Sequence, residues 1–438
     1  MKKFTIAIPI LSLLLLGAHA LRQGDFGLTA AFALLIGLVF TRQAWARLVA
    51  IVALMWGGYL WADATINFIS FRQAMGFEWE RLAYIMAGVI LFDALGLWVL
   101  VSRVSDRFFN KNEKEGIARA AMFLLATFGL AMARSNVSFP ILLADRYMPG
   151  WGWLEIALLA LYAQWIGGMM LVPKGHRNVR PRIWALFSAV FFGQLILGLL
   201  GMDRMLMTGN LHLPVPALIA AGPVFRGEGF FMIILFSVTV LLVGPAWCSH
   251  LCYIGAWDDV MSRKGKRPAP DSLLGRLSVY GRGSTLVLTI GAALVMRAMG
   301  VPGLTAIGAA AVFGMVGVGL MVFASRRAGM MTHCTAFCPM GLVANVLGKI
   351  SPWRVRIGSD CNKCGACFTR CRYNALDNFS VEQGRPAISC TMCGDCMSAC
   401  AHKQIGYRFP GLKPEVARTL FIVLVASLHA IFLGVARI

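Results

Sequence analysis

The sequence predicts an all-α polytopic membrane protein of about eleven transmembrane helices, with one small α+β module set apart from them. Three observations predict it. The 438 residues are 58% hydrophobic and only 14% charged, where a soluble domain is about half apolar and about a quarter charged. Mean hydropathy is +0.70. Apolar runs recur along the chain, while all twelve cysteines fall at or after Cys248 and eight crowd one polar stretch near the C-terminus.

A run of about 17–21 apolar residues crosses a hydrocarbon core about 30 Å thick. Such runs lie at 4–21, 26–41, 46–66, 83–102, 117–133, 152–172, 183–201, 229–247, 283–299, 304–324 and 416–435. Lys2, Lys3 and Ala18-His19-Ala20 also fit a signal peptide. Another apolar run follows within a few residues, which favours a retained helix.

The net charge of +21 has a membrane explanation, because Lys and Arg collect in cytoplasmic loops. No groove-reading motif accompanies it, so no nucleic-acid partner is expected. The 174–182 stretch carries Lys174, Arg177, Arg180 and Arg182 without an acid, and 261–282 is similarly basic. Placing these inside gives a cytoplasmic N-terminus and an external C-terminus. The expected organisation is 1–182, membrane helices of unassigned role; 183–349, a membrane core with two cysteine pairs; 350–413, the cytoplasmic module; and 414–438, a last helix.

The module holds Cys361-x2-Cys364-x2-Cys367-x3-Cys371 and Cys390-x2-Cys393-x2-Cys396-x3-Cys400. Three thiolates at i, i+3 and i+6 wrap one corner of a cubane, and the fourth ligates the other cluster. The expected ligands are Cys361, Cys364, Cys367 and Cys400 for one [4Fe–4S] cluster, and Cys390, Cys393, Cys396 and Cys371 for a second. This is the bacterial-ferredoxin spacing. Gly365 and Gly394 fall inside the loops, where positive φ is expected. A zinc site needs four ligands of its own, and a doubled x2-x2-x3 repeat is too specific for that. Disulfides do not suit a reducing cytoplasm. Arg372 and Ala401 stand where a proline usually follows the fourth cysteine.

The other four cysteines, Cys248, Cys252, Cys334 and Cys338, form two Cys-x3-Cys pairs. Each pair follows an apolar run, and Gly255 and Gly341 lie three residues after the second cysteine. An internal repeat is expected, with both pairs at the cytoplasmic face. Three readings are open: a third iron–sulfur centre, [2Fe–2S] or [4Fe–4S]; two thiol/disulfide couples; or structural thiols or a structural metal. His250 and His333 lie beside the pairs and are read as hydrogen-bonded groups rather than ligands.

With these motifs the chain resembles the NapH/NosR/MauN-type membrane polyferredoxins over about residues 183–410. The resemblance departs at Tyr253, where the family's motif has proline; Pro339 keeps it. It implies electron transfer between a cytoplasmic or quinone-pool partner and a membrane or periplasmic partner, in the cytoplasmic membrane of a bacterium or archaeon. It makes Cys248, Cys252, Cys334 and Cys338 redox-motif residues. An electron-transfer subunit of an oxidoreductase complex is expected rather than a stand-alone enzyme. The alternatives are a quinol-oxidising subunit with its own quinone site and a redox-sensing regulator.

Ionisable residues within spans are functional candidates, here Asp93, Arg297, His19 and His429. No haem is expected; each histidine is read as bonding a neighbouring helix. Asp203, Arg204, His212, Arg226 and Glu228 sit in an interfacial or re-entrant segment, 202–228, with the loose makings of a quinone site.

Overall fold

A computed structural model describes residues 5–206, 213–265 and 273–435, with the backbone alone at 273–279. The chain divides into two compact units, Met1–Gly168 and Met169–Ile438.

In the first unit lie α1 (Ala7–Arg22), α2 (Phe26–Phe40), α3 (Ala44–Ala74), α4 (Glu80–Val101), α5 (Gly116–Ser135) and most of α6 (Gly152–Met170). Small residues let α1 approach its neighbours, as in membrane helix pairs. A Cβ at Gly57 would stand 2.4 Å from Leu16, and one at Gly96 would stand 2.8 Å from the Ser12 hydroxyl. Arg47 terminates α4 by donating to the Leu100, Val101 and Ser102 carbonyls, which the end of a helix leaves unpaired. Asp93 is buried on α4, and its Oδ1 has no hydrogen-bond partner. His19 bonds Gln23, the residue that ends its own helix, at 3.0 Å, rather than a neighbouring helix.

The second unit opens with α7 (Pro173–Leu199), α8 (Leu218–Arg226), α9 (Phe231–Val243), α10 (Gly255–Lys264), α11 (Leu273–Ala298), α12 (Gly303–Gly319) and α13 (Pro339–Leu347). Strand β1 (Arg354–Ile357), the short helix α14 (Asn378–Glu382), strand β2 (Ile405–Arg408) and α15 (Pro414–Val435) complete it. The basic stretch 174–182 is not a loop. It forms the first turns of α7, which starts on Pro173 and continues through Pro181. Hydropathy marks where charge begins rather than where a helix does, and a helix of this length, about 40 Å, outruns the hydrocarbon core. His212 lies outside the described residues. Arg297 donates to the Val224 carbonyl at 3.3 Å, capping the end of α8.

Eight helices among the described residues are long and apolar enough to cross a membrane. Two shorter apolar helices, α1 and α2, and helix α11 occupy the remaining predicted runs. Large apolar side chains stand out from these helices, such as Leu304 at 80% and Met315 at 65% exposure on α12. An apolar surface of this extent requires a lipid environment, so the chain is a membrane protein.

The module of residues 350–413 belongs to the second unit. Its strands pair antiparallel, Arg354 opposite Arg408 and Ile357 opposite Ile405. Trp353, 1% exposed, donates to the Leu242 carbonyl at 2.8 Å and packs against Phe421 of α15. Tyr407 stacks on the same ring at 4.1 Å. These aromatics fix the module to the ends of α9 and α15.

Candidate functional site

Strand pairing sets the start of the first cysteine loop beside the end of the second. The two loops repeat each other closely. Lys363 and Met392 have φ of 55° and 57°, Gly365 and Gly394 have 73° and 79°, and Asn374 and Lys403 have 49° and 54°. In place of the missing proline turn, the amide four residues after the last cysteine returns to its sulfur. Ala375 N–H donates to Cys371 Sγ at 3.2 Å and Gln404 N–H to Cys400 Sγ at 3.3 Å.

The thiols gather in two groups of four. Cys361, Cys364 and Cys400 surround Cys367, and Cys390, Cys393 and Cys371 surround Cys396. Each group draws its fourth member from the opposite motif. The first group reaches the surface through Cys364, while no member of the second is exposed. Burial pushes the Cys371, Cys390 and Cys393 thiols up to about 12 and Cys367 up to about 11. Such thiols stay protonated until a metal displaces the proton. Gly394 has no room for a side chain: a Cβ would stand 2.8 Å from the Tyr407 hydroxyl and 2.9 Å from the His176 ring. Gly394→Ala should cost about 2–5 kcal/mol, from left-handed backbone strain and overpacking. Thermal unfolding and iron content would register it; a wild-type melting curve would contradict it.

The second cysteine set is also a structural repeat. Cys252 N–H closes on the Trp247 carbonyl at 3.1 Å, and Cys338 N–H on the His333 carbonyl at 2.8 Å. Both are wide i to i+5 turns, a geometry often found at functional sites. Helices α10 and α13 follow. Their first amides converge on the second cysteine of each pair: Ile254 and Gly255 on Cys252 Sγ, Met340 and Gly341 on Cys338 Sγ. A Cβ at Gly255 would stand 3.1 Å from the Cys248 carbonyl, and one at Gly341 3.0 Å from the Cys334 carbonyl. The glycines noted in the sequence thus let each helix start close against its own pair.

The two pairs meet. Cys338, Cys252 and Cys248 are all electrostatic neighbours of Cys334, and the Cys334 amide donates to Asp258 of α10 at 2.9 Å. Burial pushes Cys252 up to about 12 and raises Cys334 and Cys338 as well. Among the described residues, no three His, Cys, Asp or Glu side chains close to the spacing of a single metal ion. Four neighbouring thiols with amides converging on two of them suit a cluster, whose sulfurs accept such hydrogen bonds.

Short links join this site to the deeper thiol group of the module. Ser249, next to Cys248, donates from Oγ to the carbonyl of Thr391, next to Cys390, at 2.9 Å. Met331 N–H donates to the Arg372 carbonyl at 2.9 Å. The Arg372 guanidinium in turn donates to the Ser262 and Gly329 carbonyls, so the residue in the usual proline position docks the module.

Sequence reasoning missed a buried charge network here. Arg180, 0% exposed, pairs with Asp395 at 2.9 Å and Asp259 at 3.3 Å, and donates to the Ser249 carbonyl. Arg263 bridges the same two acids. Asp395 lies inside the Cys393–Cys396 loop, so the network ties that loop to α7 and α10. A histidine pair was also missed: His176 and His250 bond through their Nε2 atoms at 3.2 Å, and the His250 carbonyl meets His429 Nδ1 at 3.1 Å. Only the residue types were visible beforehand, since these partners lie far apart in sequence.

Thiol-rich loops docked on apolar helices define a membrane protein with iron–sulfur chemistry. A family model described as a 4Fe-4S binding domain matches residues 227–270 and 308–358. Each matched stretch holds one Cys-x3-Cys pair. The match supports 4Fe–4S binding and an iron–sulfur electron-transfer role for the chain. No curated protein and no solved structure gives a significant match.

Proposed function

We propose that the chain is a membrane-bound electron-transfer protein of the NapH/NosR/MauN kind, with three iron–sulfur sites in series. Cys361, Cys364, Cys367 and Cys400 hold a [4Fe–4S] cluster at the surface of a ferredoxin-like module. Cys371, Cys390, Cys393 and Cys396 hold a second one beneath it. Cys248, Cys252, Cys334 and Cys338 hold a third cluster at the membrane boundary. Eleven helices cross the cytoplasmic membrane of a bacterium or archaeon, with the N-terminus and the module inside.

The observation carrying this reading is the Ser249–Thr391 hydrogen bond, which joins the residue after a cysteine of the membrane site to the residue after a cysteine of the middle site. When bound, the clusters would supply one-electron transfer between a soluble redox partner near the exposed Cys364 and the quinone pool or a membrane partner near Cys248, Cys252, Cys334 and Cys338. The chain would hold the clusters, limit the access of water to the inner two and donate backbone hydrogen bonds to their sulfurs, which would tune their potentials.

The test uses the purified full chain in lipid vesicles. A reduced viologen should bleach the cluster absorbance, and a lipid-dissolved naphthoquinone should restore it. Quinone reaction independent of the clusters would sink the relay. A cavity of about 660 Å³ in the first unit, lined by Phe128, Arg134, Phe139 and Trp153, favours a second reading. Its size suits a quinone, and turnover of a quinol by the chain alone would mark a quinol-oxidising subunit.

A further inference from the structure

Helix α11 meets the second cysteine turn at very close range. A Cβ at Gly281 would stand 2.3 Å from the Ala336 carbonyl oxygen, and Thr285 Oγ1 donates to the Phe337 carbonyl at 2.7 Å. Between these two contacts Arg282 enters the four-thiol site. It is 1% exposed. Its electrostatic neighbours are Cys248, Cys338 and Cys334, and Nη1 lies 3.8 Å from the Cβ position of Gly341.

Among the described residues the guanidinium has no carboxylate partner, and Nε and Nη2 have no hydrogen-bond partner. The buried Arg180, by contrast, has two carboxylates. A buried cation without a counter-charge is strongly unfavourable, and four neutral thiols do not offset it. Four thiolates around an iron–sulfur cluster carry net negative charge and do.

We propose that Arg282 is the built-in counter-cation of the cluster held by Cys248, Cys252, Cys334 and Cys338, and that it raises the reduction potential of that site. The inference rests on the cluster reading of these four cysteines. Reduction brings one electron from the neighbouring cluster and adds one negative charge, with no proton required. A fixed positive charge in a dry, low-dielectric site favours the more negative state. Arg282 acts on the cluster from beside it; it is a positioning and tuning residue, not a ligand.

The experiment is an EPR-monitored redox titration of the whole chain, with iron and sulfide counted on the same sample. Arg282→Gln should move the midpoint of one cluster to a more negative potential and leave the other two in place. Arg282→Lys, which keeps the charge, should restore most of the shift. Loss of one cluster's iron in the Gln variant but not in the Lys variant supports the inference equally. Unchanged midpoints in Arg282→Gln at full iron content would overturn it, as would equal loss of iron in both variants. About eight irons in the unmodified chain would instead remove the cluster itself, which separates failure of that reading from failure of the role given to Arg282.

Discussion

Cys338→Ser should abolish reoxidation of the protein by a lipid-dissolved quinone while leaving its reduction by a soluble viologen intact. The prediction follows from where the cysteines stand. Cys338 is buried in the four-thiol site, and two amides at the start of α13 converge on its sulfur. If these four cysteines hold a cluster as proposed, the substitution would leave it with a hydroxyl in place of one thiolate. Changes to outer-shell groups alone cost about 10–100-fold in metal affinity or activity, and loss of a ligand should exceed that. Cys252→Ser should behave alike, because its turn and its amide donors repeat those of Cys338. The cysteines proposed to hold the module clusters are separate from these four, so the signals of those clusters should persist. Normal quinone reoxidation in either variant would remove the boundary site from the path.

Arg180→Leu should destabilise the second unit by about 3–5 kcal/mol, the range for breaking a buried ion pair from one side. The substitution leaves Asp259 and Asp395 buried at 2% and 6% side-chain exposure, with only the Arg263 bridges to offset them. It also removes the bond to the Ser249 carbonyl, beside the Ser249–Thr391 link. Arg263 is the control. Its side chain is 34% exposed, and losing it should cost less, because solvent replaces part of its interaction. Unfolding of the detergent-solubilised protein should therefore rank Arg180→Leu well below Arg263→Leu in stability. Equal effects would show that the network is not held by the buried cation.

The apolar runs and the cysteine spacings were legible in the sequence because each depends on local pattern. A span needs only continuous apolar length, and a ferredoxin-like loop needs only thiols three residues apart. Gly255 and Gly341 were visible as repeated positions, and the structure supplies the reason: each lets a helix begin against the carbonyl of its own pair. The charges were less legible. Arg180 counted among loop cations in the 174–182 stretch, yet it is the fully buried centre of an ion network. Its acids stand 79 and 215 residues away, beyond any periodicity or spacing rule. Arg282 closed a basic stretch in the same way and instead enters the four-thiol site. In both cases tertiary packing, not the local chain, decides whether a cation meets water or a buried partner.

Iron and acid-labile sulfide counted on the purified full chain, with EPR of the reduced protein, test the three-site relay most directly. About twelve irons are expected in the unmodified protein, falling to about eight in a Cys252→Ser, Cys338→Ser double variant. About eight irons in both proteins would contradict it and leave the membrane-boundary cysteines without a cluster.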